Sequence, residues 1–179
     1  MSQCLVTLMG SDRSIRKGFG MPAVSGGQGF PEPQVVIGSA QDVAMVRAVV
    51  EVDKIPAFYG RAYPLLFGSL GARGIAPAGA PMGISFCAPT ATIELGAAVP
   101  VAGPVSDDGE VVAFALPGGP AAKVRFRGSY EQLPAVYSHI RSWLVNNGYT
   151  PGTVSWEQYV TEPGGDPEQN ITDVFWAIG

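Results

Sequence analysis

The stretch Val154-Ser155-Trp156-Glu157-Gln158-Tyr159-Val160 has the composition of a β-strand, and turn residues rich in Pro and Gly bound it on both sides. Side chains of a strand alternate between two faces, so Glu157 and Tyr159 share one face and Trp156 points to the other. Glu157 is therefore a carboxylate beside an aromatic ring, in a strand without Lys or Arg. Such a charge costs free energy unless it is paired. A distant side chain, a hydroxyl group or a ligand could be the partner.

The composition of the chain excludes several classes of protein. Its 179 residues, 46% of them hydrophobic, suit one domain or two small fused modules. A net charge of −4 does not favour binding to DNA or to an anionic membrane, and no apolar run is long enough to span a bilayer. Cys4 and Cys87 form no CxxC pair, so we expect a reducing, cytoplasmic location. A single His argues against a His-based catalytic or metal site, and we expect no metal and no cofactor.

Residues 1–42 have little hydrophobic pattern. Gly and Pro recur throughout this stretch, and Ser25-Gly26-Gly27-Gln28-Gly29 is typical of a flexible linker. We predict a flexible, disordered N-terminal arm over 1–42 and a folded domain over 43–179. The arm is too short and too rich in Gly for a helix-turn-helix domain, so we expect no direct nucleic-acid binding.

Hydrophobic periodicity predicts the secondary structure of the folded domain. Apolar residues at helical spacing predict helices over 55–74 and 130–147, and Gly74 and Gly148 are suitable helix stops. Alternating or β-rich runs between turn residues predict strands over 46–52, 81–86, 90–101, 110–116, 122–127, 154–160 and 171–178.

The order strand–helix–strand–strand occurs twice, over about 43–102 and 109–179. Gly74-Ile75-Ala76-Pro77 matches Gly148-Tyr149-Thr150-Pro151 at an offset of 74, and an offset of 73 then places Glu157 on Ile84. Chance could produce these residue matches, since Gly and Pro are abundant in the chain. The repeated order of strands and helices, however, supports a duplication independently of the matched residues. We predict an α+β fold in which tandem modules form one antiparallel sheet, with two helices on one face and a ligand groove on the other.

These motifs together resemble the GyrI-like small-molecule-binding domain, also called the AraC-type effector-binding domain, over about residues 45–179. The resemblance rests on Leu116-Pro117-Gly118-Gly119, Arg127-Gly128-Ser129-Tyr130, Trp143-Leu144, Asn147-Gly148-Tyr149, and Glu157-Gln158-Tyr159 with Pro163. The chain departs from the family pattern at Phe86, where Tyr is common, and at Arg127-Gly128-Ser129-Tyr130, which replaces the commoner His-Gly-Pro-Tyr.

The resemblance implies a bacterial-type, transcription-regulation-related domain whose groove binds lipophilic, often cationic compounds, with Glu157 facing the cation. We therefore predict a stand-alone multidrug- or effector-binding protein, and aromatic rings would add cation–π attraction. The candidate ligand-binding residues are Glu157, Tyr159, Tyr130, Phe86, Ile84, Trp143 and Trp176. Trp143 could instead pack in the core, and Phe175 rather than Trp176 could face the groove.

Two other functions stay open. Some relatives of this family hydrolyse strained cyclopropane-containing electrophiles, and Glu157 could then serve as a general base while Tyr159 or Tyr130 polarises the electrophile. The domain could also inhibit a large protein partner of the topoisomerase type, which would require an exposed apolar or acidic patch outside the groove.

Overall fold

The fold is taken from a computed structural model that describes residues 29–86, 90–161 and 165–179. Its strands are β1 (Gln34–Gly38), β2 (Gln41–Glu51), β3 (Met82–Ser85), β4 (Thr92–Pro100), β5 (Val111–Leu116), β6 (Gly119–Arg127), β7 (Pro151–Tyr159) and β8 (Ile171–Ile178). Its helices are α1 (Ile55–Ala72) and α2 (Leu133–Asn146). The predicted strand–helix–strand–strand order therefore occurs twice, as β2-α1-β3-β4 and β6-α2-β7-β8.

All eight strands form one antiparallel sheet in the order β1-β6-β8-β7-β3-β4-β2-β5. The two repeats meet at the pair of β3 with β7, in the middle of the sheet. In this pair Gly83 lies opposite Glu157, and Ile84 lies opposite Trp156. Glu157 and Ile84 therefore point to opposite faces, because a one-residue difference in register exchanges the two faces of a strand.

Both helices cover the same face of the sheet, as predicted. Helix α1 buries a stripe of four residues against β2 and β4, and α2 buries a similar stripe against β6 and β8. Gly74 and Gly148 follow the two helices with φ angles of 66° and 77°, a left-handed conformation that glycine adopts without strain. Neither helix, nor any other helix in the described ranges, is long and apolar enough to cross a membrane.

The other face of the sheet curls around a second apolar cluster, which includes Met45, Met82, Ile84 and Trp156. Two short connections impose the curl. Two residues join β1 to β2, and two join β5 to β6. In the strand order, however, β1 and β6 lie at one edge of the sheet, and β2 and β5 lie at the other. The connections touch, because a Cβ atom on Gly118 would lie 2.6 Å from the backbone nitrogen of Ala40. The two ends of the sheet are therefore held close together.

The predicted arm over 1–42 needs correction in its described part. Residues 29–42 are not a flexible arm, because β1 pairs with β6 over five residues and β2 begins at Gln41. The β-branched residues of β1 give it strand propensity, and the Gly and Pro residues around it concealed this signal. The rest of the predicted arm, residues 1–28, lies outside the described residues.

Strand β1 should contribute measurably to stability. A variant that lacks residues 1–39 loses the five residue pairs of β1 and the packing of Val36, whereas a variant that lacks only 1–28 keeps them. We expect the longer truncation to melt about 5–10 °C below the shorter one, as measured by circular dichroism. Equal melting temperatures would show that β1 adds nothing to the stability of the sheet.

Candidate functional site

Glu157 lies on the helix-covered face of β7, where the two halves of the sheet meet. Its Oε1 atom accepts a hydrogen bond from the Tyr137 hydroxyl at 2.9 Å, and its Oε2 atom accepts one from the Tyr159 hydroxyl at 2.7 Å. Tyr137 comes from α2, and Tyr159 follows Glu157 by two residues on the same face. Among the described residues, no Lys, Arg or His forms an ion pair with this carboxylate. Hydroxyl groups are therefore its partners within the chain.

Three more tyrosines complete the surroundings of Glu157. Tyr59 and Tyr63 lie one turn apart on α1 with stacked rings, their centroids 5.6 Å apart, and the Tyr63 hydroxyl donates to the Met82 carbonyl at 2.8 Å. Tyr130 meets Tyr159 edge to face at 5.4 Å. Five of the six tyrosines of the chain thus gather at one carboxylate. We call Tyr59, Tyr63, Tyr130, Tyr137 and Tyr159 the tyrosine cage.

Gly83 makes room for the cage. It lies opposite Glu157 in β3, and a Cβ atom at this position would lie 2.6 Å from the Tyr59 hydroxyl and 2.7 Å from the Tyr159 hydroxyl. Such distances are far below van der Waals contact. The two phenol groups can therefore meet above the sheet only because position 83 has no side chain.

The cage combines one negative charge with neutral hydrogen-bond donors. Burial raises the pKa of Glu157 above the ordinary glutamate value of 4.5, while the hydrogen bonds from Tyr159 and Tyr137 act in the opposite direction. Burial, and then the charge of Glu157, raise the pKa values of Tyr137 and Tyr159 well above the usual value of 10.0, so both phenols stay protonated. The side chains of Glu157 and its two partners are only partly buried, which leaves the cluster accessible from solvent.

Among the described residues, no cation forms an ion pair with Glu157, and aromatic side chains gather around it. Such an arrangement attracts a cation by direct charge interaction, and any ring face open to the ligand adds cation–π attraction. No group of three or more His, Cys, Asp or Glu residues within the described ranges could hold a metal ion. The groups that the cage offers to a ligand are one carboxylate and five phenols.

The structure brings three of the predicted ligand-binding residues near Glu157. Tyr159 and Tyr130 belong to the cage. Trp176 lies behind Tyr137, with its ring edge-on at 5.9 Å, and its indole N–H donates to the Gly152 carbonyl. Phe175, the alternative to Trp176, stacks on Trp156 on the other face of the sheet.

The other three predicted residues lie elsewhere. Ile84 is buried in the apolar cluster of the helix-free face. Phe86 packs on that same face, beneath the guanidinium group of Arg47 at 3.8 Å. Trp143 stacks on Tyr149 and donates to Glu32, and it is partly buried beside the apolar cluster of α2 rather than facing Glu157.

The predicted side of the groove is also corrected. The carboxylate of Glu157 lies on the face that carries α1 and α2, not on the helix-free face. Each helix packs over its own half of the sheet, so the central strands β3 and β7 lie beneath the space between the helices. Tyrosines from both helices reach into that space and meet at Glu157.

The sequence interpretation missed Tyr59, Tyr63 and Tyr137 as site residues. All three lie at the helical spacing that predicted α1 and α2, among aliphatic residues. The available signal was the phenol itself, because a buried Tyr hydroxyl needs a hydrogen-bond partner. The two helices place three phenols over a sheet that carries one carboxylate without a charged partner in its own strand. This combination predicts that the phenols and the carboxylate meet.

Replacing Gly83 with alanine should disturb the cage. The added methyl group would displace the hydroxyls of Tyr59 and Tyr159, and we expect the free energy of unfolding to fall by about 1–3 kcal/mol. Gly68→Ala is the matched control, because position 68 lies in α1 with open space around it, and it should gain about 0.5–1 kcal/mol. Urea denaturation measures both changes, and an unchanged Gly83→Ala protein would mean that the phenols do not depend on this glycine.

The fold and site together define a class of protein: a small-molecule-binding domain of two strand–helix–strand–strand repeats with a carboxylate where the repeats meet. The family model for the GyrI-like small molecule binding domain matches residues 31–178, and the chain belongs to this family. A search of curated proteins finds no match.

Solved structures share the fold at low sequence identity. EcmrR in a cryo-EM structure of its DNA complex has a TM-score of 0.74 and 15% identity; 82% of this chain and 57% of the EcmrR chain are covered, so this chain spans just over half of that protein. SAV2435 bound to tetraphenylphosphonium has a TM-score of 0.62 and 11% identity, with 83% and 94% covered. A hydrolase encoded by lin2189 from Listeria innocua has a TM-score of 0.59 and 12% identity, with 83% and 92% covered.

Proposed function

We propose that this protein binds lipophilic cations in the tyrosine cage, with Glu157 as the counter-charge. The observation that carries the proposal is that Glu157 lies among five phenol rings and forms no ion pair with any residue that the structure describes. A carboxylate in such surroundings gains free energy when a cation approaches, because burial weakens its interaction with water. Family membership supports the binding of small molecules, and the structural neighbour SAV2435 holds a lipophilic cation.

The hydrogen bonds of Glu157 indicate which cations suit the cage. Each carboxylate oxygen already accepts a short hydrogen bond from a phenol, at 2.9 Å from Tyr137 and 2.7 Å from Tyr159. A ligand that brings its own N–H donors would compete with these phenols. A delocalised or shielded cation needs no such donor, and it interacts through charge and through the ring faces. We therefore expect lipophilic cations to bind more tightly than primary ammonium compounds of similar size.

Two ions of nearly identical shape and opposite charge test this function. Tetraphenylphosphonium is a cation, tetraphenylborate is an anion, and both expose the same four phenyl rings. Isothermal titration of the full chain should show saturable binding of tetraphenylphosphonium at micromolar concentration, and at least tenfold weaker binding of tetraphenylborate. Equal affinity for the two ions would refute a counter-charge role of Glu157, and binding of neither would refute the proposed ligand class.

A hydrolase is the second candidate, because the carboxylate has a raised pKa and two phenol donors within 2.9 Å. Glu157 would take a proton from water, whose oxygen then attacks a strained cyclopropane carbon. The breaking carbon–carbon bond would pass its electron pair to a conjugated carbonyl oxygen, which takes a proton from Tyr159. The proton on Glu157 would then pass to the Tyr159 oxygen, 2.7 Å away, and restore both groups. Mass spectrometry would detect a product heavier than the substrate by one water. Turnover that persists in Glu157→Gln would exclude this mechanism.

A further inference from the structure

A second cavity lies on the helix-free face, where the two ends of the curled sheet meet. Its volume is about 330 Å³, near the lower end of the roughly 300–1,000 Å³ that is usual for small-molecule sites. The strands on either side of the curl supply its walls, which include Val36, Gln41, Leu116, Trp156, Gln158 and Phe175. We call this space the rear cavity.

One wall of the rear cavity is aromatic. The rings of Trp156 and Phe175 stack with their centroids 5.0 Å apart and their planes 5° from parallel. Ile84 lies opposite Trp156 in the sheet, and the Lys123 ammonium group lies over the Phe175 ring at 5.1 Å, so the pair presents ring edges rather than a free face. Ring edges pack favourably on the face of another aromatic ring, and a rigid wall of this kind suits an aromatic ligand.

Polar side chains are among the residues that line the rear cavity. The half-buried amides of Gln41 and Gln158 form no side-chain hydrogen bond with another described residue. The Trp156 indole N–H also has no acceptor among these residues, whereas the indole groups of Trp143 and Trp176 both donate to protein oxygens. The lining therefore offers hydrogen-bond donors and acceptors beside apolar side chains, and ligand sites commonly combine the two.

The rear cavity differs from the tyrosine cage in charge. No Asp, Glu, Lys, Arg or His is among the described residues that line it. Outside the lining, Lys123 and Arg125 share the one carboxylate of Asp173, at 2.9 Å and 2.7 Å, and the Lys123 ammonium group lies 5.1 Å from the centroid of the Phe175 ring. A charged ligand would therefore lose its hydration in the cavity without gaining a counter-ion, which costs free energy.

We propose that the rear cavity is a second ligand site, which takes a small, neutral, planar aromatic compound that carries both a hydrogen-bond donor and an acceptor. The site is independent of the function proposed for the tyrosine cage, although both use β7. Trp156 and Gln158 flank Glu157 in the sequence and point to the opposite face of the sheet. One strand thus presents a charged site on one side and a neutral site on the other.

Three compounds of the same shape test the rear cavity: benzamide is neutral, benzamidinium is a cation and benzoate is an anion. The probe is the Trp156 indole N–H signal in a nitrogen-15 NMR spectrum of the full chain, identified by its loss in Trp156→Phe. We expect benzamide to shift this signal saturably, with a dissociation constant on the order of millimolar, as is typical of a fragment of this size. The two ions should bind at least fivefold more weakly.

Substitutions separate this site from the tyrosine cage. Gln158→Leu should weaken benzamide binding about threefold to tenfold through the loss of a hydrogen bond. Glu157→Gln, and the exposed control Gln169→Leu, should leave it unchanged. The proposal is overturned by the absence of a saturable shift, by equal affinity for the three compounds, or by a Gln158→Leu protein that binds benzamide like the wild type.

Discussion

Glu157→Gln is expected to bind tetraphenylphosphonium about tenfold to hundredfold more weakly than the wild-type protein at neutral pH. The substitution keeps the size of the side chain and removes the negative charge. Its amide oxygen can accept a hydrogen bond from one of the two phenols, Tyr137 or Tyr159, and its NH2 group can donate to the oxygen of the other. Two charges a few ångströms apart in a partly buried site interact by roughly 1.5–3 kcal/mol, which corresponds to this loss of affinity. Isothermal titration of both proteins measures it directly.

Three controls make this result specific. The neutral compound triphenylphosphine oxide should bind both proteins equally, because it has the phenyl rings without the charge. Glu168→Gln removes an equivalent charge from an exposed turn and should leave the affinity for the cation unchanged. The melting temperature of Glu157→Gln should equal or exceed that of the wild type, since burial disfavours the charged form of Glu157. If the variant lost equal affinity for the cation and for the neutral compound, Glu157 would contribute to the shape of the site and not to its attraction for positive charge.

The sequence predicted both long helices and most of the strands, because their signals are local. Helical stripes ending at Gly74 and Gly148 predicted α1 and α2, and alternation between turns predicted most of the strands. Strand β1 was missed because five residues between Pro and Gly carry a weak signal, and its pairing with β6 depends on distant residues. Local patterns predict long helices and strands well, but they do not show which short segments pair with the edge of the sheet.

The face of the candidate site could not be predicted in the same way. Alignment of the repeats placed Glu157 on Ile84, whereas the sheet pairs Glu157 with Gly83. A difference of one residue exchanges the two faces, so this alignment put Glu157 on the face of Ile84, which is the helix-free side. Register is a tertiary property, set where β3 and β7 meet. The tyrosines of the cage likewise meet only after both helices have packed, so the sequence showed the phenols but not their convergence on Glu157.

Tyr159→Phe is expected to shift the pH dependence of cation binding to higher pH. The Tyr159 hydroxyl donates to Glu157 at 2.7 Å, which stabilises the carboxylate and lowers its pKa against the opposing effect of burial. Without this donor the pKa of Glu157 rises further. Because only the ionised carboxylate attracts a cation, affinity for tetraphenylphosphonium increases as pH rises through the pKa of Glu157, and the whole curve should move to higher pH in the variant.

The matched control is Tyr149→Phe, because Tyr149 packs on Trp143 at the end of α2, away from Glu157. Its binding curve should coincide with that of the wild type. If the curve of Tyr159→Phe also coincides with it, the hydrogen bond does not tune the carboxylate.

The pH dependence of stability provides an independent measurement, and it has the opposite sign to the pH dependence of binding. Since the pKa of Glu157 is higher in the folded than in the unfolded chain, the folded state holds more protons above pH 4.5, and this carboxyl group lowers stability as pH rises through the window between the two pKa values. That pH window should widen towards higher pH in Tyr159→Phe and disappear in Glu157→Gln. As pH rises, ionisation of Glu157 thus strengthens cation binding and lowers the stability of the fold.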